Sequence, residues 1–400
     1  MWNTYREGYN FICLSELKMA KLCFISTIEG TQESFIIPAL YLFKEKGYDV
    51  TVICTMSENF LEKYSKDFRC INVQMQRGVS LKDVLTKPFE FYRIFKRERF
   101  DYVQYATTNA SFYSCIPAKL LGIKTRVYCS WGLLYEGYTG LKRTFYKRIE
   151  KLLCNTATHI TVASYKNLEV AAKDGVLERK KASVIGDGGT IGVDMNVFDV
   201  EKREEYKAQV LQEYPVLQGK TVFGYVGRIE TDKGISELLS AFIKADNPNY
   251  ALLLIGKFDE LRSDIEPSLL AKAKSMENII FHGFTREVPK YMSAMDILVH
   301  PTYREGFSMV IQQAMAMGCA IITTNVPGPS EVIEEGKSGL LVPDHTVDEL
   351  SEAMTKLGED AQLRKSFSDA GLLRVRDKFE RSRMLQLTLE NREKMMKKEI

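Results

Sequence analysis

Thirteen short apolar runs, most of them followed by a stretch of helical periodicity, constrain this 400-residue chain more than any other feature. The first seven lie at 21–27, 49–54, 71–74, 102–106, 126–129, 159–163 and 182–185, and each is too short for a core helix and of strand length. A charged, polar stretch at 199–220 breaks the rhythm, which resumes at 221–226 and continues through 251–255, 279–282, 297–300, 320–324 and 340–342. Strands alternating with helices predict parallel β-α-β units with helices on both faces of the sheet. The interruption predicts two such units. The expected organisation is therefore an extension at 1–18, with Met19 as an alternative start, a domain at 19–200, a second at 201–380, and a charged helix at 381–400. In doubly wound sheets ligands lie beyond the carboxyl ends of the strands, so the cleft between the domains is the expected site.

Composition removes several classes. An apolar share of 45% with 27% charged residues is that of an ordinary globular protein, and no run approaches the 18 or more apolar residues of a membrane span. The start lacks a basic-then-apolar secretory pattern, so a cytoplasmic location is expected. Eight cysteines without paired spacing read as reduced, buried thiols, and four dispersed histidines leave no metal site legible. A net charge of +3 gives no reason to expect a nucleic-acid partner.

That charge is uneven, +7 over residues 1–200 and −4 over 201–400. The excess gathers in two aromatic-rich segments. Residues 81–100 carry Lys82, Lys87, Arg93, Lys96, Arg97 and Arg99 beside Phe89, Phe91, Tyr92 and Phe95, and residues 140–153 carry Lys142, Arg143, Lys147, Arg148 and Lys151 beside Phe145 and Tyr146. Two readings stand: a surface for anionic membrane headgroups, or two amphipathic helices with solvated outer faces.

The most informative stretch runs from His300 to Ser308 and into a helix expected at 309–317. A strand ends, a polar turn presents Glu305, and a helix N-terminus follows, offering unpaired N–H groups and a positive dipole end to a diphosphate. Gly306 permits close backbone approach, Ser308 caps the helix, and Glu305 can accept hydrogen bonds from sugar hydroxyls. A plain Glu-Gly turn is the bland alternative. In the same domain Gly227-Arg228 follows the strand at 221–226, and Lys233 precedes Gly234 at the next helix. Two cations there would neutralise a departing diphosphate; otherwise Arg228 is an ordinary strand-end arginine and Lys233 a solvated loop lysine.

Together these segments resemble glycosyltransferase family 4, enzymes of the GT-B fold. The order Gly-Arg-x4-Lys-Gly, Gly283-Phe284, Pro-x3-Glu-Gly-Phe, the Ala-Met-Ala-x-Gly string at 314–318 and Gly-Leu-Leu-Val-Pro at 339–343 runs as in the family. The resemblance implies two Rossmann-like domains and a hexosyltransferase that retains anomeric configuration. It implies a nucleotide-sugar donor held by Arg228, Lys233, Glu305, Gly227 and the stretch Gly306, Phe307, Ser308 and Met309, with a looser match at Gly30 and Thr31 in the loop after the first strand. No cofactor or metal is expected, and no Asp-x-Asp motif stands at a strand end near these segments. Two positions depart from the family. Gln313 stands where a second glutamate grips the ribose, which weakens that grip, and Trp131 stands where many relatives have histidine. An indole can stack on a sugar, which makes Trp131 a candidate sugar contact, or it can be a core aromatic.

The strings Tyr-Arg-Glu-Gly-Phe at 303–307 and Thr-Asn-Val-Pro-Gly at 324–328 resemble bacterial members that build capsule, O-antigen or exopolysaccharide units. The resemblance implies a UDP-sugar donor and a polyprenyl-diphosphate-linked saccharide acceptor at the inner face of the cytoplasmic membrane, where the enzyme would be peripheral. Trp131 and Gln313 motivate the rival expectation, a catalytically silent nucleotide-sugar-binding scaffold of a polysaccharide assembly complex. A sugar-nucleotide epimerase on the same fold fits Arg228 and Glu305 less well.

Overall fold

The structure, a computed structural model, describes residues 20–76, 78, 80–258 and 263–397; the extension at 1–18, the Met19 start, Cys13 and the chain end at 398–400 lie outside the described residues. Among the described residues the chain forms two all-parallel sheets. The first contains β1 (Lys21–Ile28), β2 (Asp49–Thr55), β3 (Arg69–Asn72), β4 (Tyr102–Ala106), β5 (Thr125–Ser130), β6 (His159–Val162) and β7 (Ala182–Ser183), in the order β3-β2-β1-β4-β5-β6-β7. The second contains β8 (Thr221–Val226), β9 (Tyr250–Ile255), β10 (Ile279–Gly283), β11 (Ile297–His300), β12 (Ala320–Thr324) and β13 (Leu340–Val342), in the order β10-β9-β8-β11-β12-β13. This is the doubly wound α/β architecture expected, twice over.

Inner strands read as continuous apolar runs because helices cover both sheet faces. Every residue of β4 and of β9 is buried. The edges of the first sheet were harder to place. β3 lies at 69–72 rather than 71–74, since its register pairs Thr51 with Arg69 and Cys54 with Asn72. Beyond it the Thr55 hydroxyl takes over, accepting from the Met75 amide at 2.8 Å. β7 stops at Ser183, two residues short of the expected end. Of the seven described cysteines six are buried, as expected, and Cys70 is partly exposed.

Two expectations need correction. Residues Gly30 and Thr31 do not lie in a loop: β1 runs on to Ile28 and the helix Glu29–Phe35 starts at once, so both occupy its first turn. The acidic Glu29 suits the positive end of that helix. The aromatics of the first basic segment also divide. On the helix Leu81–Glu98, Phe91 and Phe95, one turn apart, are buried in the core, and only Phe89 and Tyr92 belong to the exposed face.

The last helix, Arg381–Lys397, returns to the first domain. Its Leu389 and Met395 are buried in the cluster containing Phe24, Leu40 and Phe43. Arg392, 2% exposed, donates to the Gln104 carboxamide oxygen and the Thr161 hydroxyl, both at 2.8 Å. The crossing is tied by two backbone bonds, Val193 N–H to Phe379 C=O at 2.7 Å and Arg381 N–H to Val193 C=O at 2.9 Å.

Candidate active site

The carboxyl ends of the two sheets face each other across a cleft of about 800 Å³, lined on one side by Thr107, Tyr128, Trp131, Gly132 and Tyr138 and on the other by Arg228, Lys233, Arg304, Glu305 and Gly306. A cavity of about 300 Å³ lies against Gly227, Arg228, Lys233, His300, Ser308 and Met309. Arg228, Lys233, Glu305 and Trp131 line both.

At the end of β11 the chain turns through Pro301–Phe307 and enters the helix Met309–Ala316, one residue shorter than expected, with Met317 at its C-cap. Ser308 is its N-cap, and its hydroxyl accepts from the Ile311 amide at 3.3 Å. The turn admits no side chain at Gly306, where an added Cβ would stand 1.6 Å from the Trp131 carbonyl oxygen of the opposite domain. Gly328, at φ +92°, closes in from another side; a Cβ there would lie 2.5 Å from the Gly306 carbonyl oxygen.

Glu305 and Lys233 are partners. Lys233 Nζ lies 2.6 Å from Glu305 Oε2, with both side chains partly buried. Burial pushes the Glu305 carboxyl up, but the Lys233 ammonium, the His300 ring and the Gly306 amide together hold the group below the usual carboxylate range. Arg228 reaches Glu230 Oε2 at 2.5 Å and remains about half exposed toward the cleft. Asp232, beside Lys233, receives two bonds from Arg304, Nη2 at 2.5 Å and Nε at 3.1 Å, so the turn and the Lys233 loop are joined at two ion pairs.

The other expected residues are placed less uniformly. Trp131 is half-buried, tilted against Phe35 at 5.4 Å between ring centroids, and lines the cleft, so it is partly a packed aromatic and partly a cleft wall. Phe307 is buried against Gly188, Gly189 and the Phe379 ring and also lines the smaller cavity. Gln313 is half-buried one turn beyond Met309 and is not among the residues lining either cavity. Gly30 and Thr31 line neither.

Sequence reasoning missed three groups here. His300 is 3% exposed; burial, then the Lys233 charge, push its pKa down to about 4, so it is neutral. Its Nε2 lies 3.3 Å from the Ser308 hydroxyl, and its Nδ1 has no hydrogen-bond partner. Its place at a strand end before Pro301 was the available signal. Glu150, on the helix Gly140–Thr156, is a buried carboxyl behind the cleft that accepts from Tyr128 at 2.8 Å and Ser130 at 2.9 Å. Burial pushes it up to about 7 against the pull of those two bonds. Asn167, in the first domain, donates across to the carbonyls of Glu305 and Gly306 at 3.2 and 2.9 Å, and nothing in the sequence pattern marked it.

Two cations and a helix N-terminus facing a carboxylate, on the strand ends of paired parallel sheets, can hold a diphosphate ester while its sugar is transferred. Fold and site together define a glycosyltransferase of the GT-B type. The described residues contain no group of three or more His, Cys, Asp or Glu placed to hold a metal ion, and no helix long and apolar enough to cross a membrane.

Known proteins agree with that class. Residues 21–164 match the family described as Glycosyl transferase 4-like, and residues 207–374 match Glycosyl transferases group 1. The chain is thus a glycosyltransferase, one matched segment falling in each domain. It is 27% identical to the capsular polysaccharide biosynthesis glycosyltransferase CapM of Staphylococcus aureus, over 84% of this chain and 87% of that one. It is 22% identical to an Escherichia coli UDP-Gal:alpha-D-GlcNAc-diphosphoundecaprenol alpha-1,3-galactosyltransferase, over 87% and 90%. Its fold matches Anabaena Alr3699/HepE in complex with UDP, at TM-score 0.74 and 18% identity, over 93% of this chain and 99% of that one.

Proposed function

We propose that this enzyme transfers a hexosyl group from a UDP-sugar to a polyprenyl-diphosphate-linked saccharide during assembly of a bacterial surface polysaccharide, with retention and without a metal. The observation that carries the reading is the 2.6 Å pairing of Lys233 with Glu305 in front of the helix that Ser308 caps. A donor placed there puts its diphosphate against Lys233, Arg228 and the backbone amides, and its sugar against Glu305. The bond between the anomeric carbon and the phosphate oxygen breaks, and that oxygen leaves with the electron pair. The acceptor hydroxyl adds to the same face and passes its proton to the leaving phosphate, so no protein base is needed. Arg228 and Lys233 supply the charge that a metal would otherwise supply. The printed names of the two relatives, one a capsular enzyme and one acting on a diphosphoundecaprenol-linked sugar, support the acceptor class.

A lipid-linked acceptor requires approach to a membrane. On the helix Leu81–Glu98, Leu81, Leu85 and Phe89 are each at least 70% exposed, near Arg93, Lys96 and Arg97, and on the helix Gly140–Thr156 Leu141 is 90% exposed beside Lys142. Apolar side chains interleaved with cations fit an anionic headgroup layer at the inner face of the membrane, where each basic residue contributes about 1 kcal/mol.

The test is incubation with a panel of UDP-, GDP- and ADP-sugars and bacterial membrane lipid extract, reading nucleotide release by chromatography with and without EDTA. UDP release that depends on the lipid and survives EDTA is expected. Nucleotide binding with no turnover of any donor would instead identify the silent scaffold that Trp131 and Gln313 allow, and activity abolished by EDTA and restored by manganese would overturn the metal-free mechanism.

A further inference from the structure

The sequence Ser164-Tyr165-Lys166-Asn167 opens the helix Tyr165–Lys173 of the first domain, just after β6. Ser164 is the N-cap, and its hydroxyl accepts from the Asn167 backbone amide at 3.1 Å and from Asn167 Nδ2 at 2.9 Å. One N–H of the side-chain amide is thereby directed at Ser164, and the other faces the second domain. There it meets the Glu305 and Gly306 carbonyl oxygens, at 3.2 and 2.9 Å. Asn167 is 5% exposed, so these bonds are made away from water, where a lost partner is costly.

The same helix end is closed by the second domain. On the helix Pro329–Val332, Glu331 accepts from the Tyr165 amide at 2.8 Å, from the Lys166 amide at 3.1 Å and from the Gly328 amide at 3.2 Å. Lys166 Nζ donates to the Ser330 hydroxyl at 2.7 Å. A carboxylate from one domain thus seats on the positive end of a helix from the other. The turn that carries Glu305 is held by Asn167 on its carbonyls, by the Trp131 carbonyl against Gly306, and by Gly328 against the Gly306 oxygen. Two of those three supports belong to the first domain.

We infer that Asn167 is a positioning residue through which closure of the two domains sets the catalytic turn, so that Glu305 takes its working geometry only when the first domain is seated. The inference rests on the proposed role of Glu305 at the transferring sugar. Preorganisation of this kind acts on turnover more than on nucleotide affinity, since UDP carries no sugar for Glu305 to hold.

The test compares wild type with Asn167→Ala, Asn167→Asp and Lys166→Ala. Asn167→Ala should lower kcat about tenfold or more while UDP affinity by calorimetry changes by less than about twofold. Lys166→Ala removes an interdomain bond without touching the turn and should cost far less. Asn167→Asp should be weakest at alkaline pH, where two carbonyls face a carboxylate, and should recover as the pH falls and the protonated acid donates again; Asn167→Ala should show no such recovery. The surrounding ionisable groups, Glu331 and Lys166 at the helix end, Glu305 in the turn and its partner Lys233, are shared by the two Asn167 variants. Amide hydrogen exchange of residues 304–308 with UDP bound supplies a readout that needs no turnover and should be faster in Asn167→Ala. Wild-type kcat and unchanged exchange in Asn167→Ala would overturn the inference, as would equal losses of kcat and UDP affinity, or identical pH profiles for the two Asn167 variants. Absence of donor turnover in the wild type would sink the function reading instead, and the exchange comparison would still decide the role of Asn167.

Discussion

The two walls of the cleft are built by different means. The second domain presents its chemistry through a few short, contiguous strings, at 227–234 and 300–309, where backbone amides, a helix cap and glycines with no room for a Cβ do much of the work. The first domain presents side chains from β5 and from the segments that follow β4 and β5, Thr107, Tyr128, Trp131 and Tyr138, over a wall backed by the buried Glu150 carboxyl. A wall built from backbone tolerates few sequences. One built from side chains can be altered residue by residue, which, on the proposed function, suits the donor to the first kind and a changeable acceptor to the second.

The largest effect that can break this contrast is on the donor wall. Glu305→Ala should lower turnover by about 10²-fold or more, with UDP affinity little changed, as expected of a preorganised charge felt chiefly in the transition state. Calorimetric UDP titration beside initial rates checks both, and loss of UDP binding in this variant would place the donor elsewhere.

Next in size, reversing charge at Arg93, Lys96 and Arg97 together should release most of the protein from liposomes containing anionic lipid at low salt while leaving UDP affinity intact. Flotation of both proteins at several salt concentrations is the measurement. Equal retention on neutral liposomes would remove electrostatics from the account.

Glu150 gives a pH effect confined to the first domain. Its folded pKa of about 7 lies above the ordinary 4.5, so its contribution is fully present below the ordinary value and is lost as pH rises through about 7. The loss is about 3 kcal/mol. Thermal denaturation across that range should show Glu150→Gln flatter than wild type, and parallel curves would count against the buried acid.

The smallest effect sharpens the reading of the donor wall. Gln313→Glu should tighten UDP binding only if the side chain reaches the ribose from one turn beyond Met309; an unchanged dissociation constant would mean that the helix position, outside the cavity lining, has left the nucleotide.

The contrast also explains what could be read from the chain. Both sheets were legible because inner strands such as β4 and β9 are buried on both faces and appear as unbroken apolar runs. β3 and β7 are partly exposed edge strands, each paired on one side only, and their bounds slipped. Arg228, Lys233 and Glu305 were legible as a spaced motif, and the structure brings them to one cleft. Asn167 and Arg392 were not, because each acts on a partner more than 130 residues away and nothing in its own neighbourhood marks it. The Lys233–Glu305 pairing was likewise beyond reach, since spacing alone locates two charges without saying that they touch.

The return of the Arg381–Lys397 helix to the first sheet has a consequence for the order in which the molecule is made. A ribosome delivers residues 20–190 well before Leu389, Arg392 and Met395, yet those three complete the core around Phe24 and satisfy Gln104 and Thr161. During synthesis the first domain therefore waits, with an apolar face and two polar groups uncovered, until the second has been threaded through. Its final closure is a late event in the life of the nascent chain.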